Sequence, residues 1–335
     1  MYVVTGGGGF IGSSFIWYLN QQGIEDIIVV DRFSRRPEKW KNLRGLRFRD
    51  IITPEQLIEL IDRNHLIADY VINLGACTDT TEQDFEFLLE QNYRFAQRLC
   101  RYCLENKIRF VHASSGSTYG LGEKGFSDSL SLLPYLRPLN PYGYSKHLFD
   151  LWALKEGIIG DIVVLKYFNV FGPNEYHKGS MRSMVLKAYE QILETGKVKL
   201  FRSTHPDFRD GCQKRDFVYV KDVVRITYEL AISARAGGVY NVGTGQARTW
   251  IDLVSAVFSA LNRPINIEFI DMPEHLRAQY QNFTKAEIER VERILGRVNF
   301  TSLEDAVIDY VQNYIIPNRY LGDDFLDRAE KDVLC

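Results

Sequence analysis

Short apolar runs alternate with amphipathic segments from residue 2 to residue 168. The apolar runs fit strands at 2–5, 27–31, 46–48, 70–74, 110–114 and 162–168. Between them, apolar residues recur every three or four positions, which predicts helices at 11–22, 54–64, 85–106 and 142–156. Near-continuous apolar strands separated by helices are typical of a parallel sheet covered on both faces. The pattern therefore predicts an α/β protein with a doubly wound parallel sheet.

The pattern loosens after Gly172. A helix is predicted at 181–195, a polar stretch at 203–214, and two more short strands at 217–220 and 239–242. No internal repeat or low-complexity linker divides the chain. We therefore predict a larger lobe built from 1–168 that also receives roughly 213–245, and a smaller α/β lobe built from 169–212 and 246–335.

The composition is that of an ordinary globular protein. Of 335 residues, 41 are Lys or Arg and 43 are Asp or Glu, so the formal net charge is -2, and 45% are hydrophobic. These values argue against disorder and provide no long-range attraction to nucleic acid or to an anionic membrane. We expect neither as a partner.

The sequence contains few signals for a cellular compartment or for metal binding. The first residues read as a buried strand, so we expect no secretory signal, and no apolar run approaches the roughly 20 residues that a membrane-spanning helix needs. Cys100 and Cys103 form a C-x-x-C pair, but they stand inside a predicted helix without a second pair. We expect a cytoplasmic protein with reduced cysteines and no metal site.

A glycine-rich motif directly follows the first predicted strand and opens the first helix. It reads TGGGGFIG at 5–12 and places Gly6, Gly9 and Gly12 in the spacing G-x-x-G-x-x-G. Glycines allow a tight turn and a close approach of the backbone to a pyrophosphate, which the helix N-terminus stabilises. Asp31 ends the second strand, where a carboxylate would reach a ribose hydroxyl, and Asp50, taken to end the third strand, could contact the adenine. The larger lobe is therefore predicted to be a Rossmann-type dinucleotide-binding domain.

The sequence leaves two choices for the dinucleotide. Asp31 favours NAD, because its charge would repel a 2′-phosphate. Four cations follow at once and could hold that phosphate or could form a solvated loop: Arg32, Arg35, Arg36 and Lys39. We predict NADP, with NAD as the alternative.

A second motif, Y-x-x-x-K, places Tyr142 and Lys146 on one face of a helix. A phenol has a pKa of about 10 and is a weak base at neutral pH. The positive charges of a nearby Lys and of an oxidised nicotinamide would favour the phenolate. Ser115 follows the fifth strand, at the edge of the sheet where ligands bind. These residues predict a proton-transfer site beside a nicotinamide.

These motifs resemble those of the extended short-chain dehydrogenase/reductase superfamily over essentially the whole chain. More specific segments are GACT at 75–78, YFNVFGPNEYHKGSM at 167–181, RDFVYVKD at 215–222, YNVGTG at 240–245 and YQNFT at 280–284. These segments resemble those of the ADP-L-glycero-D-manno-heptose 6-epimerase family.

The resemblance implies an NADP-dependent isomerase that epimerises C6″ of ADP-D-glycero-D-manno-heptose for the lipopolysaccharide inner core. Transient oxidation and re-reduction would invert the carbinol, and the position of the carbonyl is left open. Hydride return to the opposite face calls for a proton-transfer group on each side. In the family, a lysine that matches Lys178 serves beside the tyrosine that matches Tyr142. The family also implies a homo-oligomer.

The resemblance further implies two sets of ligand contacts. Beside the motif residues Gly6, Gly9, Gly12, Asp31 and Asp50, the expected cofactor contacts are Phe10, Ile11, Arg32, Lys39, Leu74, Gly75, Ala76, Cys77, Thr78, Gln91, Lys146, Val170 and Lys178. The expected contacts to the sugar nucleotide are Ser115, Asn169, Ser180, Lys187, Phe201, Arg202, Ser203, Thr204, Arg215 and Tyr280.

Two alternatives remain at the level of the sequence. One is a 4-epimerase or a reductase that acts on another nucleotide sugar. The other is a sensor that binds NADP without turnover, but the presence of both Tyr142 and Lys146 argues against it. A 4,6-dehydratase is disfavoured, because Gly116 and Ser117 stand where an acidic pair would follow Ser115.

Overall fold

A computed structural model describes residues 1–34, 36–277 and 279–326. Seven parallel strands form the main sheet in the order β10-β6-β5-β4-β1-β2-β3. Their bounds are β1 Tyr2–Thr5, β2 Ile27–Val30, β3 Asp50–Ile52, β4 Tyr70–Asn73, β5 Arg109–Ser115, β6 Val163–Tyr167 and β10 Gly238–Val242. The predicted doubly wound parallel sheet is confirmed.

Helices cover both faces of this sheet because successive strand residues point to opposite sides. Val4 packs into an apolar cluster with Phe15 and Val223, whereas Val3 packs into another with Leu99 and Phe149. The first layer contains α1 Phe10–Gln21 and α7 Val220–Ile232. The second contains α2 Pro54–Asp62, α4 Phe95–Glu105 and α5 Pro141–Lys155.

The predicted helix at 85–106 has an internal irregularity. It consists of α3 Phe85–Leu88, a π-helical segment Leu89–Arg94 and then α4. Cys100 and Cys103 are fully buried on α4, and burial raises the pKa of both thiols. Within the described ranges, no three His, Cys, Asp or Glu residues are grouped so that they could hold a metal ion.

The described residues also form two short sheets. One has the order β11-β9-β7, with β7 Asn169–Phe171, β9 Lys214–Tyr219 and β11 Ala247–Thr249. The other pairs β8 Val198–Phe201 with β12 Ile267–Ile270. The remaining helices are α6 Met184–Thr195, α8 Trp250–Ala260, α9 Glu274–Arg277, α10 Glu289–Leu295 and α11 Leu303–Tyr310. None of the helices in the described residues has the length and apolar character to cross a membrane.

The third strand differs from the prediction. It runs over Asp50–Ile52 instead of 46–48 and pairs Ile28 with Asp50. Leu46 belongs to the apolar core as a loop residue, and this explains the apolar run that suggested a strand there. The actual strand lies at the sheet edge with Ile51 exposed, so its sequence does not need to be continuously buried.

Candidate active site

The glycine-rich turn lies between β1 and α1, with its backbone packed against neighbouring backbone. Gly6 has φ +66°, and a Cβ there would lie 2.7 Å from Gly75 Cα. A Cβ on Gly12 would lie 2.1 Å from the Gly6 carbonyl oxygen, so any side chain would displace the turn. Gly9 is the N-cap of α1 and offers no side-chain cap to the first-turn N–H groups. These donors and the space beside them fit the diphosphate of a dinucleotide.

The charged residues predicted to bind the adenosine end lie together beside this turn. Asp31 accepts a hydrogen bond from Gly8 N at 2.8 Å and forms an ion pair with Lys39. Arg32 pairs with Glu55 and donates to Gln91 Oε1 at 2.8 Å. Arg35 lies outside the described residues.

Asp50 is not placed as predicted. It is the first residue of β3, whereas ligands of such sheets bind at the carboxyl ends of the strands. Its carboxylate accepts a hydrogen bond from Ile51 N at 2.7 Å, and the residue is exposed. The shift of the strand by four residues accounts for this difference in position, and a contact of Asp50 with the adenine stays a prediction.

A cavity of about 890 Å³ begins beside the glycine-rich turn and extends to Phe201, Trp250 and Ile270. All four predicted catalytic residues line it: Ser115, Tyr142, Lys146 and Lys178. Its wall includes the predicted cofactor residues Phe10, Ile11, Leu74, Ala76, Thr78 and Val170 and the predicted substrate residues Asn169, Ser180, Lys187, Phe201 and Tyr280. Side chains from distant parts of the chain therefore share one space.

Tyr142 and Lys146 lie on the first turns of α5, whose N-cap Asn140 accepts a hydrogen bond from Gly143 N. Ser115, the last residue of β5, hydrogen-bonds the Tyr142 phenol. Burial raises the pKa of Tyr142, and the hydrogen bond with Ser115 opposes this rise. Lys146 Nζ donates to the Ala113 carbonyl at 2.8 Å, and burial lowers its pKa to about 8.

Lys178 lies in a short 3₁₀ turn, Tyr176–Met181, in which Gly179 has φ +55°. Its ammonium is 5.3 Å from the centre of the Phe10 ring, at the start of α1. Burial lowers the pKa of Lys178, the Glu175 carboxylate opposes the shift, and the positive charges of Arg36 and Lys187 add to it. A lysine with a lowered pKa can exchange a proton near neutral pH.

Arg215 lies on β9 between two aromatic rings. Its guanidinium is 5.7 Å from the centre of the Trp250 ring and 5.0 Å from that of Tyr280. Burial lowers the pKa of Arg215, and the side chain is only 5% exposed. Such a planar, poorly hydrated cation matches a phosphate group.

The next residue, Asp216, anchors this strand. Its carboxylate accepts hydrogen bonds from Thr244 N and Oγ1, Gly245 N and Ala286 N, all between 2.7 and 2.9 Å. Three segments that are remote in sequence thus meet at one buried side chain. These hydrogen bonds fix the backbone at Asp216 and therefore the position of the neighbouring Arg215.

Four predicted substrate residues are not part of the cavity wall: Arg215, whose ring neighbours Trp250 and Tyr280 do line the cavity, and Arg202, Ser203 and Thr204. Arg202 pairs with Asp210 and Asp271, and Ser203 N donates to Asp210 Oδ1 at 2.8 Å. Thr204 continues this exposed loop. The polar residues of the loop satisfy one another, so a role for them in binding stays a prediction.

Sequence reasoning missed Asn92, which lies in the π-helical segment. Its side chain donates to the Cys77 carbonyl at 3.0 Å and to Ser145 Oγ at 2.9 Å, and accepts from Cys77 N at 2.8 Å. It therefore joins the predicted cofactor segment 74–78 to α5. The sequence signal for Asn92 is a single amide side chain at a position where the helical pattern predicts an apolar residue.

Trp250 was also missed, although its indole lines the cavity and donates to Tyr280 Oη at 2.8 Å. The sequence provided no motif for it.

The doubly wound sheet, the glycine-rich turn and the Ser-Tyr-Lys group define a short-chain dehydrogenase/reductase type of nucleotide-sugar enzyme. A family model, the NAD dependent epimerase/dehydratase family, matches residues 2–243. The chain belongs to this family and, within it, to the ADP-L-glycero-D-manno-heptose-6-epimerase family. The resemblance seen in the sequence is confirmed.

Individual relatives support this assignment. The ADP-L-glycero-D-manno-heptose-6-epimerase of Nitratidesulfovibrio vulgaris (strain DP4) is 52% identical over 317 residues, which cover 94% of this chain and 98% of the relative. The Fusobacterium nucleatum protein of the same name is 45% identical over 326 residues, again covering 94% and 98%. The crystal structure of the Helicobacter pylori ADP-L-glycero-D-manno-heptose-6-epimerase is 29% identical, with a TM-score of 0.79, covering 93% of this chain and 95% of that one.

Proposed function

We propose that this protein interconverts ADP-D-glycero-D-manno-heptose and ADP-L-glycero-D-manno-heptose by inverting C6″. The observation that carries the proposal is the presence of two proton-transfer groups, Tyr142 and Lys178, on the wall of one cavity. Epimerisation by oxidation and re-reduction needs such a group for each face of the carbinol carbon. The names of the relatives supply the sugar nucleotide.

The bound dinucleotide supplies a reversible acceptor for the hydride of the carbinol carbon. In one direction, the Tyr142 phenolate oxygen accepts the hydroxyl proton as the carbinol is oxidised, and Lys178 Nζ returns a proton to the carbonyl oxygen from the other side. In the reverse direction, the two groups exchange roles. No net oxidation results. Each turnover leaves Tyr142 with one more proton and Lys178 with one fewer, so both groups must exchange a proton with solvent before the next turnover in the same direction.

The surroundings of both groups suit this task. Lys178 has a lowered pKa, so its neutral form is accessible to serve as a base. Ser115 contacts the Tyr142 phenol and would also hydrogen-bond the reacting oxygen.

We propose NADP as the dinucleotide. The cations Arg32, Arg36 and Lys39 beside the ribose end outnumber the carboxylates of Asp31 and Glu55, which leaves a positive charge for a 2′-phosphate. Since Glu55 already engages Arg32, NAD is the competing outcome. Denaturing the purified protein and weighing the released nucleotide by mass spectrometry distinguishes the two.

We assign the two ligands to different parts of the chain. Residues 1–168 with roughly 213–245 would bind the dinucleotide, while 169–212 and 246–335 would bind the sugar nucleotide. Arg215 is an exception to this division: it lies within 213–245, but its guanidinium lies over the rings of Trp250 and Tyr280 and would hold the substrate diphosphate. From the family we also propose a cytoplasmic homo-oligomer that supplies the heptose of the lipopolysaccharide inner core.

Incubation with each ADP-heptose epimer, followed by chromatography of the products, tests the function. The expected result is the same epimer mixture from either starting compound, without added dinucleotide. Turnover of UDP-sugars with no change in either ADP-heptose would overturn the proposal in favour of another nucleotide-sugar epimerase.

A further inference from the structure

Two buried side chains that the proposed function does not use connect the glycine-rich turn to the Lys178 turn. Asn42 Nδ2 donates to the Gly8 carbonyl at 2.9 Å and lies 3.0 Å from His177 Nδ1. Asn42 is 1% exposed and His177 is 9% exposed. A primary amide has two N–H groups, so it can donate to both acceptors at once.

His177 acts as the acceptor in this arrangement. Asn42 donates to Gly8 through the same nitrogen, and therefore His177 Nδ1 must carry a lone pair. Burial and, to a smaller extent, the positive charges of Lys39, Arg36 and Lys178 lower the pKa of His177 to about 3. The imidazole is consequently neutral over the pH range in which proteins work.

Hydrogen bonds of the backbone also hold the Lys178 turn in place. The Arg36 guanidinium donates to the His177 carbonyl at 3.3 Å, and Lys178 N donates to the Glu175 carbonyl at 3.0 Å. The Lys178 ammonium lies over Phe10, two residues beyond Gly8. The glycine-rich turn and the Lys178 turn therefore meet through both a hydrogen-bonded amide and a cation–π contact.

We propose that Asn42 and His177 are positioning residues that hold Lys178 at a fixed place relative to the glycine-rich turn. The inference rests on the proposed function, in which Lys178 serves one face of the carbinol carbon. A displacement of about 1 Å in a reacting group can lower a rate on the order of 10²-fold. Loss of the amide–imidazole contact should therefore lower kcat and leave the KM for the sugar nucleotide unchanged.

Four variants of the full-length holoprotein test this. His177→Leu fills the space of the imidazole with an apolar side chain and removes the Nδ1 acceptor. Asn42→Asp keeps the shape of the side chain and removes both N–H donors of the amide. His177→Asn restores an acceptor near the position of Nδ1. Tyr176→Phe is the matched control, because it removes a hydrogen bond to the Arg319 carbonyl from the neighbouring residue of the same turn.

The measurement is kcat and KM for ADP-heptose epimerisation, with dinucleotide content and melting temperature recorded for each variant. We expect His177→Leu and Asn42→Asp to lose kcat on the order of 10²-fold with KM unchanged. We expect His177→Asn to recover most of the rate and Tyr176→Phe to match the native protein. If His177→Leu is unstable, Asn42→Asp carries the test.

Two results overturn the inference: a native kcat in both disruptive variants, or a loss of kcat that His177→Asn fails to recover. Lys178→Met separates this inference from the proposed function. If Lys178→Met keeps native turnover, the proposed second base is wrong. If it loses turnover while His177→Leu and Asn42→Asp keep theirs, only the positioning role is wrong.

Discussion

The Tyr142 phenol lies in surroundings that oppose its ionisation, since burial raises its pKa and Ser115 provides the hydrogen bond that counters this effect. A group in this position is useful only when a substrate hydroxyl and a positive charge come beside it. Its contribution should therefore appear in the chemical step and not in dinucleotide binding.

We expect Tyr142→Phe to lower the epimerisation rate by roughly 10²–10⁴-fold, the usual loss for a general acid–base group. The change removes one oxygen and keeps the ring, so the bound dinucleotide should remain at native stoichiometry. Steady-state kinetics with either epimer, combined with the absorbance of the released nucleotide, measures both quantities. Near-native turnover would exclude Tyr142 from proton transfer.

Glu175 predicts a pH effect at Lys178. It is fully buried, accepts two hydrogen bonds of 2.5 Å from Ser183, and its negative charge raises the pKa of Lys178 against the effect of burial. Glu175→Gln removes this charge, so the pKa of Lys178 should fall further and its neutral form should persist to lower pH. The acidic limb of kcat/KM should consequently move to lower pH in the direction that uses Lys178 as the base.

The control for this pH profile is Glu190→Gln. Glu190 is a more exposed carboxylate that pairs with Arg182. Its loss should leave the limb in place. A limb that moves to higher pH in Glu175→Gln, or not at all, contradicts the assignment of Lys178 as a base.

Some site residues could be found from the sequence because they belong to short motifs with fixed spacing. Tyr142 and Lys146 are four residues apart on one helix, and the three glycines follow a strand directly. Asn42 and His177 could not be found in this way. They are 135 residues apart and meet only after the glycine-rich turn and the 3₁₀ turn have folded against each other.

Among the elements, α5 and β6 are joined by a buried ion pair between Asp150 and Lys166. Both side chains have no exposed surface, and Lys166 Nζ lies 2.6 Å from Asp150 Oδ2 and donates to Thr118 Oγ1 at the same distance. Ser114 Oγ also donates to Asp150, at 2.9 Å. The pair thus connects the catalytic helix to the strand that follows it in the chain.

Lys166→Met should destabilise the protein by about 3–5 kcal/mol, because it leaves the Asp150 carboxylate buried without its cation. Urea unfolding followed by tryptophan fluorescence measures the loss. Arg94→Met, which breaks an exposed pair with Glu90, is the control and should cost less than about 1 kcal/mol. Equal losses in the two variants would show that Asp150 is neutral or solvated in the folded protein.

Most elements followed from periodicity, and the exceptions have separate causes. The strand at 46–48 was wrong because buried loop residues such as Leu46 have the same apolar character as a strand. The π-helical segment Leu89–Arg94 was invisible because its extra residue per turn is set by the contacts of Asn92, and these come from elsewhere in the chain.

At the scale of the whole molecule, we expect two anionic ligands at separate places, the dinucleotide beside the glycine-rich turn and the substrate diphosphate beside Arg215. Each ligand should stabilise the folded state separately, by roughly 2.7 kcal/mol at a concentration 100 times its Kd. The dinucleotide and ADP would contact different residues. A single substitution should therefore remove the stabilisation by one ligand and keep the stabilisation by the other.

Arg215→Met tests this separation, since the methionine can still pack between Trp250 and Tyr280. We expect the rise in melting temperature on adding ADP to disappear and the bound dinucleotide to remain at native stoichiometry. Lys197→Met, which removes an exposed cation that pairs with Glu268, should keep both. If Arg215→Met retains the ADP effect, the diphosphate lies elsewhere in the cavity.

The strand order also has a consequence for folding during synthesis on the ribosome. Strand β6 ends at Tyr167, but β10, its outer neighbour, is finished only when Val242 has been made. At about 5–20 residues per second, the ribosome leaves the edge of β6 uncovered for several seconds. An open apolar edge of this kind invites pairing with other nascent chains. Slowing synthesis between these two strands should therefore lower the yield of folded protein and leave its final stability unchanged.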